Sequence, residues 1–232
     1  MQEKIIAALS PFSPYSIFIY GSRGRGDSTT DSDYEIGVVF EDNSYTERSI
    51  IHESVRLEGV RIYPFKLSEI QSGILNTPFV NSIYLRELIE GGKTIGGKEV
   101  IESLTPIPIT TLDLVRRIRF DIGYSLAALL SYRSGDTATA FEELSKSCLF
   151  GLRTLGILKL KKSISGYDAI YKSKSELTLQ DDYLRAIETA YSIRQGKKDI
   201  PIDAIFDNIS FLNYVEAEIL EELKLSGITD LV

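Results

Sequence analysis

Two carboxylates, Asp33 and Glu35, stand two residues apart at the start of an apolar run. A glycine-rich turn, Gly21-Ser22-Arg23-Gly24-Arg25-Gly26, lies just ahead of them. Alternation along an extended chain puts Asp33, Glu35, Gly37 and Val39 on one face and Tyr34, Ile36 and Val38 on the other, so the two acids converge on one spot. Paired hard oxygen ligands suit Mg²⁺, which completes its shell with water and substrate phosphates. There the ion polarises phosphoryl oxygens and orients an attacking hydroxyl. Glycines at 21, 24 and 26 let backbone amides approach a polyphosphate, and the start of a helical turn favours negative charge. Ser22 can donate a hydrogen bond to a terminal phosphate, which Arg25 or Arg23 can neutralise.

The elements that must position these groups read as follows. Residues 2–9 form a short amphipathic helix with Ile5, Ile6 and Leu9 on one side, stopped by Pro11 and Pro14. Residues 15–20 are nearly all apolar and suit a strand covered on both faces. A helical turn over 22–26 and a polar loop over 27–32 lead to a second strand, 34–40. After a polar link over 41–49, Glu58-Gly59 sits where a tight hairpin turn would sit, ahead of a strand at 60–64. Helices are expected over 67–75 and 79–89, the latter closed by Gly91-Gly92, then a small strand or turn over 93–97.

Pro106 and Pro108 mark a joint, and beyond it the chain is helical nearly to its end. Leu112, Val115, Ile118, Ile122, Leu126 and Leu129 step by three and four, as do Phe141, Leu144, Cys148, Leu152 and Leu155. Shorter helices cover 167–177 and 181–193. Ile205, Ile209, Leu212, Val215, Ile219 and Leu223 mark a long final one. Short loops between long helices imply a bundle of antiparallel neighbours. The fold class is therefore α+β: a small mixed sheet flanked by helices over residues 1–102, then an all-α bundle over 110–228.

Composition sets limits. The 232 residues are 43% hydrophobic and 25% charged, enough for a sizeable core. A net charge of −7 argues against nucleic acid as the partner, because polyphosphate backbones favour basic surfaces. The single cysteine, Cys148, allows no intrachain disulfide and fits a reducing cytosol. No apolar run reaches the length that spans a bilayer and no apolar leader opens the chain, so a cytoplasmic protein without a membrane partner is expected.

The order Gly-Ser, Arg-Gly, then Ser-Asp-x-acid at a strand start resembles the signature of nucleotidyltransferases of the polymerase beta superfamily, closest to the minimal and kanamycin-modifying branches. That pattern reads Gly-Ser-x-Ala-Arg-Gly, a gap, then Ser-Asp-x-Asp. Gly21, Ser22, Arg25, Gly26, Ser32 and Asp33 match it, Gly24 replaces the alanine, and Glu35 stands at the second aspartate. The resemblance implies that Gly21, Ser22 and Arg25 hold a nucleoside triphosphate and that Asp33 and Glu35 hold Mg²⁺ and act in catalysis. In the family three carboxylates bind two Mg²⁺ ions, the third coming from the next strand, where this chain has Arg61. The implied activity is transfer of a nucleoside monophosphate to a hydroxyl of a small molecule or protein. The alternative is a degenerate nucleotide-binding or regulatory module, and a homodimer is a further expectation.

The helical half resembles the substrate-side domain of kanamycin-type enzymes and the HEPN bundles. Ribonuclease-type HEPN proteins use an Arg…His pair. The only histidine here, His52, lies in the first half and reads as surface, so that chemistry is absent. Kanamycin-type enzymes take a general base from their helical domain, for which Glu142 or Glu143 is the candidate; acids near a helix start are also favoured without any such role. Lys159, Lys161, Lys162, Lys172 and Lys174 could meet an anionic substrate or form a solvated cluster. Tyr183, Ala186, Ile187 and Ala190 read as core.

Overall fold

The computed structural model describes residues 1–30, 32–197 and 200–232. These form two compact units, Met1–Ile107 and Pro108–Val232. Residue 31 of the expected polar loop lies outside the described residues.

The first unit is built on a four-stranded mixed sheet of β1 (Ser16–Tyr20), β2 (Tyr34–Phe40), β3 (Val60–Lys66) and β4 (Lys93–Gly97), in the order β3-β2-β1-β4. β1 pairs antiparallel with β2 and β4, and β2 runs parallel to β3. Both faces are covered, which explains the unbroken apolar runs. Ile17, Ile19, Ile36, Val38 and Ile62 pack with Ile5 and Leu9 of α1 (Gln2–Leu9) and with Ile51 and Val55 from and just after α3 (Arg48–Ser54). On the other face Phe18, Tyr20, Val39 and Phe65 meet Ile70 of α4 (Leu67–Ser72) and Tyr84, Leu85 and Leu88 of α5 (Asn81–Gly91). The short α2 (Gly21–Arg25) joins β1 to the loop before β2.

The hairpin expected at Glu58-Gly59 is corrected. β2 and β3 are parallel, so a crossover must join them, and it carries α3, a helix not expected that begins at the end of the expected polar link. Gly59, at φ +69°, makes the bend that delivers the chain to β3. The Gly91-Gly92 closure of α5 also has another basis. Gly92 has φ −82°, so no left-handed cap forms; a Cβ there would lie 2.3 Å from the Leu88 carbonyl oxygen and 2.6 Å from Ile101 Cγ2.

The second unit is helical: α6 (Thr111–Arg133), α7 (Thr137–Leu160), α8 (Tyr167–Ser173), α9 (Asp181–Arg194) and α10 (Asp203–Ser226). Thr110 caps α6 by accepting from the Asp113 amide at 3.2 Å, and the Asp113 carboxylate accepts from the Thr110 amide at 3.0 Å. The chain then returns to this point. The Ile109 amide donates to the Val232 carbonyl at 3.0 Å, the Leu231 amide to the Ile109 carbonyl at 2.8 Å, and Thr110 bridges Asp230.

The stripe expected along α6 departs from the structure after Ile118. Leu126 is 48% exposed, whereas Asp121, Ser125 and Ala128 are buried. Arg117 Nε donates to Asp121 Oδ2 at 2.9 Å, and Asn208 Nδ2 donates to Ser125 Oγ at 2.9 Å and Ser147 Oγ at 2.8 Å. These bonds make a polar face buriable, and hydrophobicity alone follows the other face. Ala186, Ile187 and Ala190 are buried as expected, and Tyr183 stacks on Tyr214 with centroids 4.8 Å apart.

Candidate active site

The register of the sheet assembles the site. Tyr20 of β1 lies opposite Glu35 of β2, which lies opposite Arg61 of β3. Opposed residues share a face, so the three side chains form one row on the α4/α5 side of the sheet. The next row is Phe18, Gly37 and Tyr63. A Cβ at Gly37 would lie 2.0 Å from Phe18 Cζ, so glycine there lets the ring lie across the sheet.

The glycine turn brings backbone directly onto a carboxylate. Gly21 has φ +66°, and a Cβ built on it would fall 1.8 Å from Glu35 Oε2. Gly21 and Glu35 are thus in close contact. Arg23 holds the intervening loop: its guanidinium donates to the Ser32 carbonyl from Nε at 2.8 Å and from Nη2 at 2.6 Å, and lies 4.1 Å above the Tyr34 ring. That fixes the segment carrying Asp33, a use the sequence did not reveal. Arg25 Nε is 3.3 Å from Asp27 Oδ1.

In β3, opposite Glu35, the structure places a cation. Arg61 Nε lies 2.5 Å from Asp33 Oδ2, with the two side chains 55% and 35% exposed. Glu58 is exposed on the bend before β3. Among the described residues no group of three or more His, Cys, Asp or Glu is placed to hold a metal ion. A second guanidinium, Arg48, stands 4.5 Å above the Tyr63 ring, two residues along β3. Arg48, Tyr45, Lys66 and Glu69 help line a cleft of about 410 Å³.

Tyr20, the β1 member of this row, has its hydroxyl 3.1 Å from that of Tyr84, both buried. Burial first, then Tyr84 and the charge of Glu35, hold the Tyr20 phenol well above its usual range. Burial likewise raises Tyr84. The position of Tyr20 directly before Gly21 was the available sequence signal for this pair. In the fold both phenols stay neutral past pH 10, whereas in the unfolded chain they ionise near pH ~10. The unfolded state therefore binds fewer protons there, and stability should fall as pH rises beyond ~10. Denaturant midpoints measured from pH 8 to 11 should decline at the alkaline end, and less steeply in Tyr20→Phe/Tyr84→Phe. An equally steep decline in that variant would refute the assignment.

In the helical unit, Glu142 pairs with Lys146 and is exposed, and Glu143 accepts from Ser131 Oγ at 3.1 Å. Lys159, Lys161, Lys162 and Lys174 pair with Glu218, Glu222, Glu176 and Glu188. These four tie segments of the helical unit together and do not form an uncompensated basic patch. His52 is exposed on α3.

Residues 2–111 match the family model for the nucleotidyltransferase domain. No curated protein sequence matches the chain. Among solved structures, spectinomycin adenyltransferase from Enterococcus faecialis, determined with ATP and spectinomycin, aligns at a TM-score of 0.64 and 15% identity. The alignment covers 94% of this chain and 97% of that one. At that identity it shows a shared fold. A nucleotidyltransferase-like protein from Exiguobacterium sibiricum 255-15 aligns over 98% of this chain and 77% of its own at 13% identity, with a TM-score of only 0.36. No helix among the described residues is long and apolar enough to cross a membrane.

Proposed function

We propose that the chain is a nucleotidyltransferase that moves a nucleoside monophosphate from a nucleoside triphosphate to a hydroxyl of a small molecule or a protein. The observation that carries this is the Glu35 carboxylate seated against Gly21 of the glycine turn, with Asp33 paired to Arg61, the residue opposite Glu35. The acceptor oxygen attacks the α-phosphorus, the bond to the bridging oxygen between the α- and β-phosphorus breaks, pyrophosphate leaves, and the hydroxyl proton passes to a general base. Gly21 and Ser22 face the triphosphate with backbone amides and a hydroxyl, joined by Arg25 once it leaves Asp27. Asp33 and Glu35 fit one Mg²⁺, whose charge would polarise the phosphoryl oxygens. They do not fit two, because the third ligand position is a guanidinium bound to Asp33.

We read residues 1–102 as the transfer domain and 110–228 as the acceptor-binding one, with Glu142 or Glu143 as candidate general base. The fold shared with an adenyltransferase determined with ATP and a small-molecule acceptor supports ATP and a small alcohol as the first pair to test. A cytoplasmic location, and a homodimer, belong to the same proposal.

Incubation with labelled ATP, GTP, CTP or UTP, Mg²⁺ and a panel of polyhydroxylated acceptors should give a labelled acceptor and pyrophosphate. Asp33→Ala should cost roughly 100-fold or more in rate; an unchanged rate would remove Asp33 from the mechanism. The second reading, a module that binds nucleotide without transferring it, is favoured by the Arg61–Asp33 pair. It would show as tight, metal-independent binding by calorimetry without turnover.

A further inference from the structure

We propose that Arg61 does the electrostatic work of a second metal ion: it rests on Asp33 while the site holds no nucleotide and moves onto the triphosphate when one binds. The inference rests on the nucleotidyltransferase reading above and adds the metal count and a positioning residue to it.

Three observations carry it. First, the register is unambiguous. Arg61 lies directly opposite Glu35 in a continuous run of seven parallel pairs from Tyr34↔Val60 to Phe40↔Lys66. The guanidinium therefore shares the sheet face of both carboxylates. Second, its partner is the carboxylate that would hold the metal: Arg61 Nε to Asp33 Oδ2 is 2.5 Å. With the side chains 55% and 35% exposed, the pair is solvated and easily exchanged. A guanidinium meets phosphate in the same forked, charge-assisted geometry it uses for carboxylate, so the exchange replaces like with like. Third, no acidic trio exists among the described residues to hold a second ion.

Charge balance points the same way. Three carboxylates with two divalent ions leave one positive charge facing the phosphates. Two carboxylates, one guanidinium and one divalent ion leave the same charge. Arg61 thus preserves the field that draws a polyanion while removing the need for a second ion. Release of Asp33 by the incoming phosphates also links the two events, since the carboxylate becomes free for Mg²⁺ only when nucleotide takes its guanidinium. Nucleotide and metal should then bind cooperatively.

The test counts ions. With a non-hydrolysable ATP analogue, Mn²⁺ titration followed by electron paramagnetic resonance should show one bound ion per chain. Arg61→Ala should weaken the triphosphate analogue about tenfold or more and leave nucleoside monophosphate affinity unchanged, and Arg61→Lys should recover part of the loss. Arg61→Glu should bind a second Mn²⁺. Circular dichroism melting of each variant reports folding, which an exposed β3 side chain should leave intact. Two ions in the wild-type chain, or undiminished triphosphate affinity in Arg61→Ala, would overturn the proposal while leaving the nucleotidyltransferase reading in place. Failure of the wild-type chain to bind any of the four triphosphates would overturn both.

Discussion

Gly24→Ala should destabilise the first unit by about 3 kcal/mol, although alanine is what the resembled family carries there. A Cβ built on Gly24 lies 1.9 Å from the carbonyl oxygen of Gly91 and 3.1 Å from that of Ile19. Both obstacles are backbone, so no rotamer change relieves them. Gly91 is the last residue of α5, and a Cβ on it would in turn lie 2.9 Å from Arg25 Cγ. The glycine turn and the end of α5 thus meet through two residues without side chains, and accommodating a methyl group means moving a helix. Thermal unfolding should begin roughly 10–15 °C lower for a unit of this size. Amide exchange should rise in β1, α2 and α5 while the helical unit keeps its protection. An unchanged melting profile would show that α5 can retreat at no cost.

Gly21→Ala should act on the chemistry more than on the fold. The residue has φ +66°, where alanine costs about 1–2 kcal/mol. Its methyl group would fall 1.8 Å from Glu35 Oε2 and 2.9 Å from Cδ. A glutamate end is flexible, so the side chain would swing away, and the carboxylate would leave the turn. If Glu35 has the role proposed for it, transfer depends on that placement, and the expected loss is roughly 10²–10³-fold. A double-mutant cycle separates the effects: in Glu35→Ala the clash disappears, and Gly21→Ala should then cost only its backbone strain. If the Gly21 substitution is equally harmful to stability with and without the Glu35 side chain, the two do not touch as described.

Much of this was legible because the relevant residues obey local rules. The alternation along β2 does place Val39 on one face, with Glu35 in the row of Tyr20, and Ile36 and Val38 on the other. Arg61 does lie on the strand next to the acids, opposite Glu35. The parallel pairing itself was not legible. Arg48–Ser54 buries only Ile51, too little periodicity to announce a helix, and Glu58-Gly59 looks the same before a hairpin or a crossover. The second half of α6 was misread because a buried Arg–Asp pair and Asn208 reverse the usual meaning of polarity. The close approaches of Gly21 to Glu35 and of Gly24 to Gly91 depend on three-dimensional neighbours. A string of glycines announces freedom without saying what fills the space it leaves.

Residues 109–111 and 229–232 lie side by side, joined by the Ile109–Val232 and Leu231–Ile109 hydrogen bonds. The chain enters and leaves the helical unit at one point, which is the topology of a transplantable cassette. Cut there, the bundle needs no new turn to bring its ends together. Rejoined in permuted order through a short linker between 232 and 108, it should fold with its helix contacts unaltered. On the division of roles proposed above, exchanging this cassette between first units at a single splice would change the acceptor and leave Gly21–Gly26, Asp33 and Glu35 as they are.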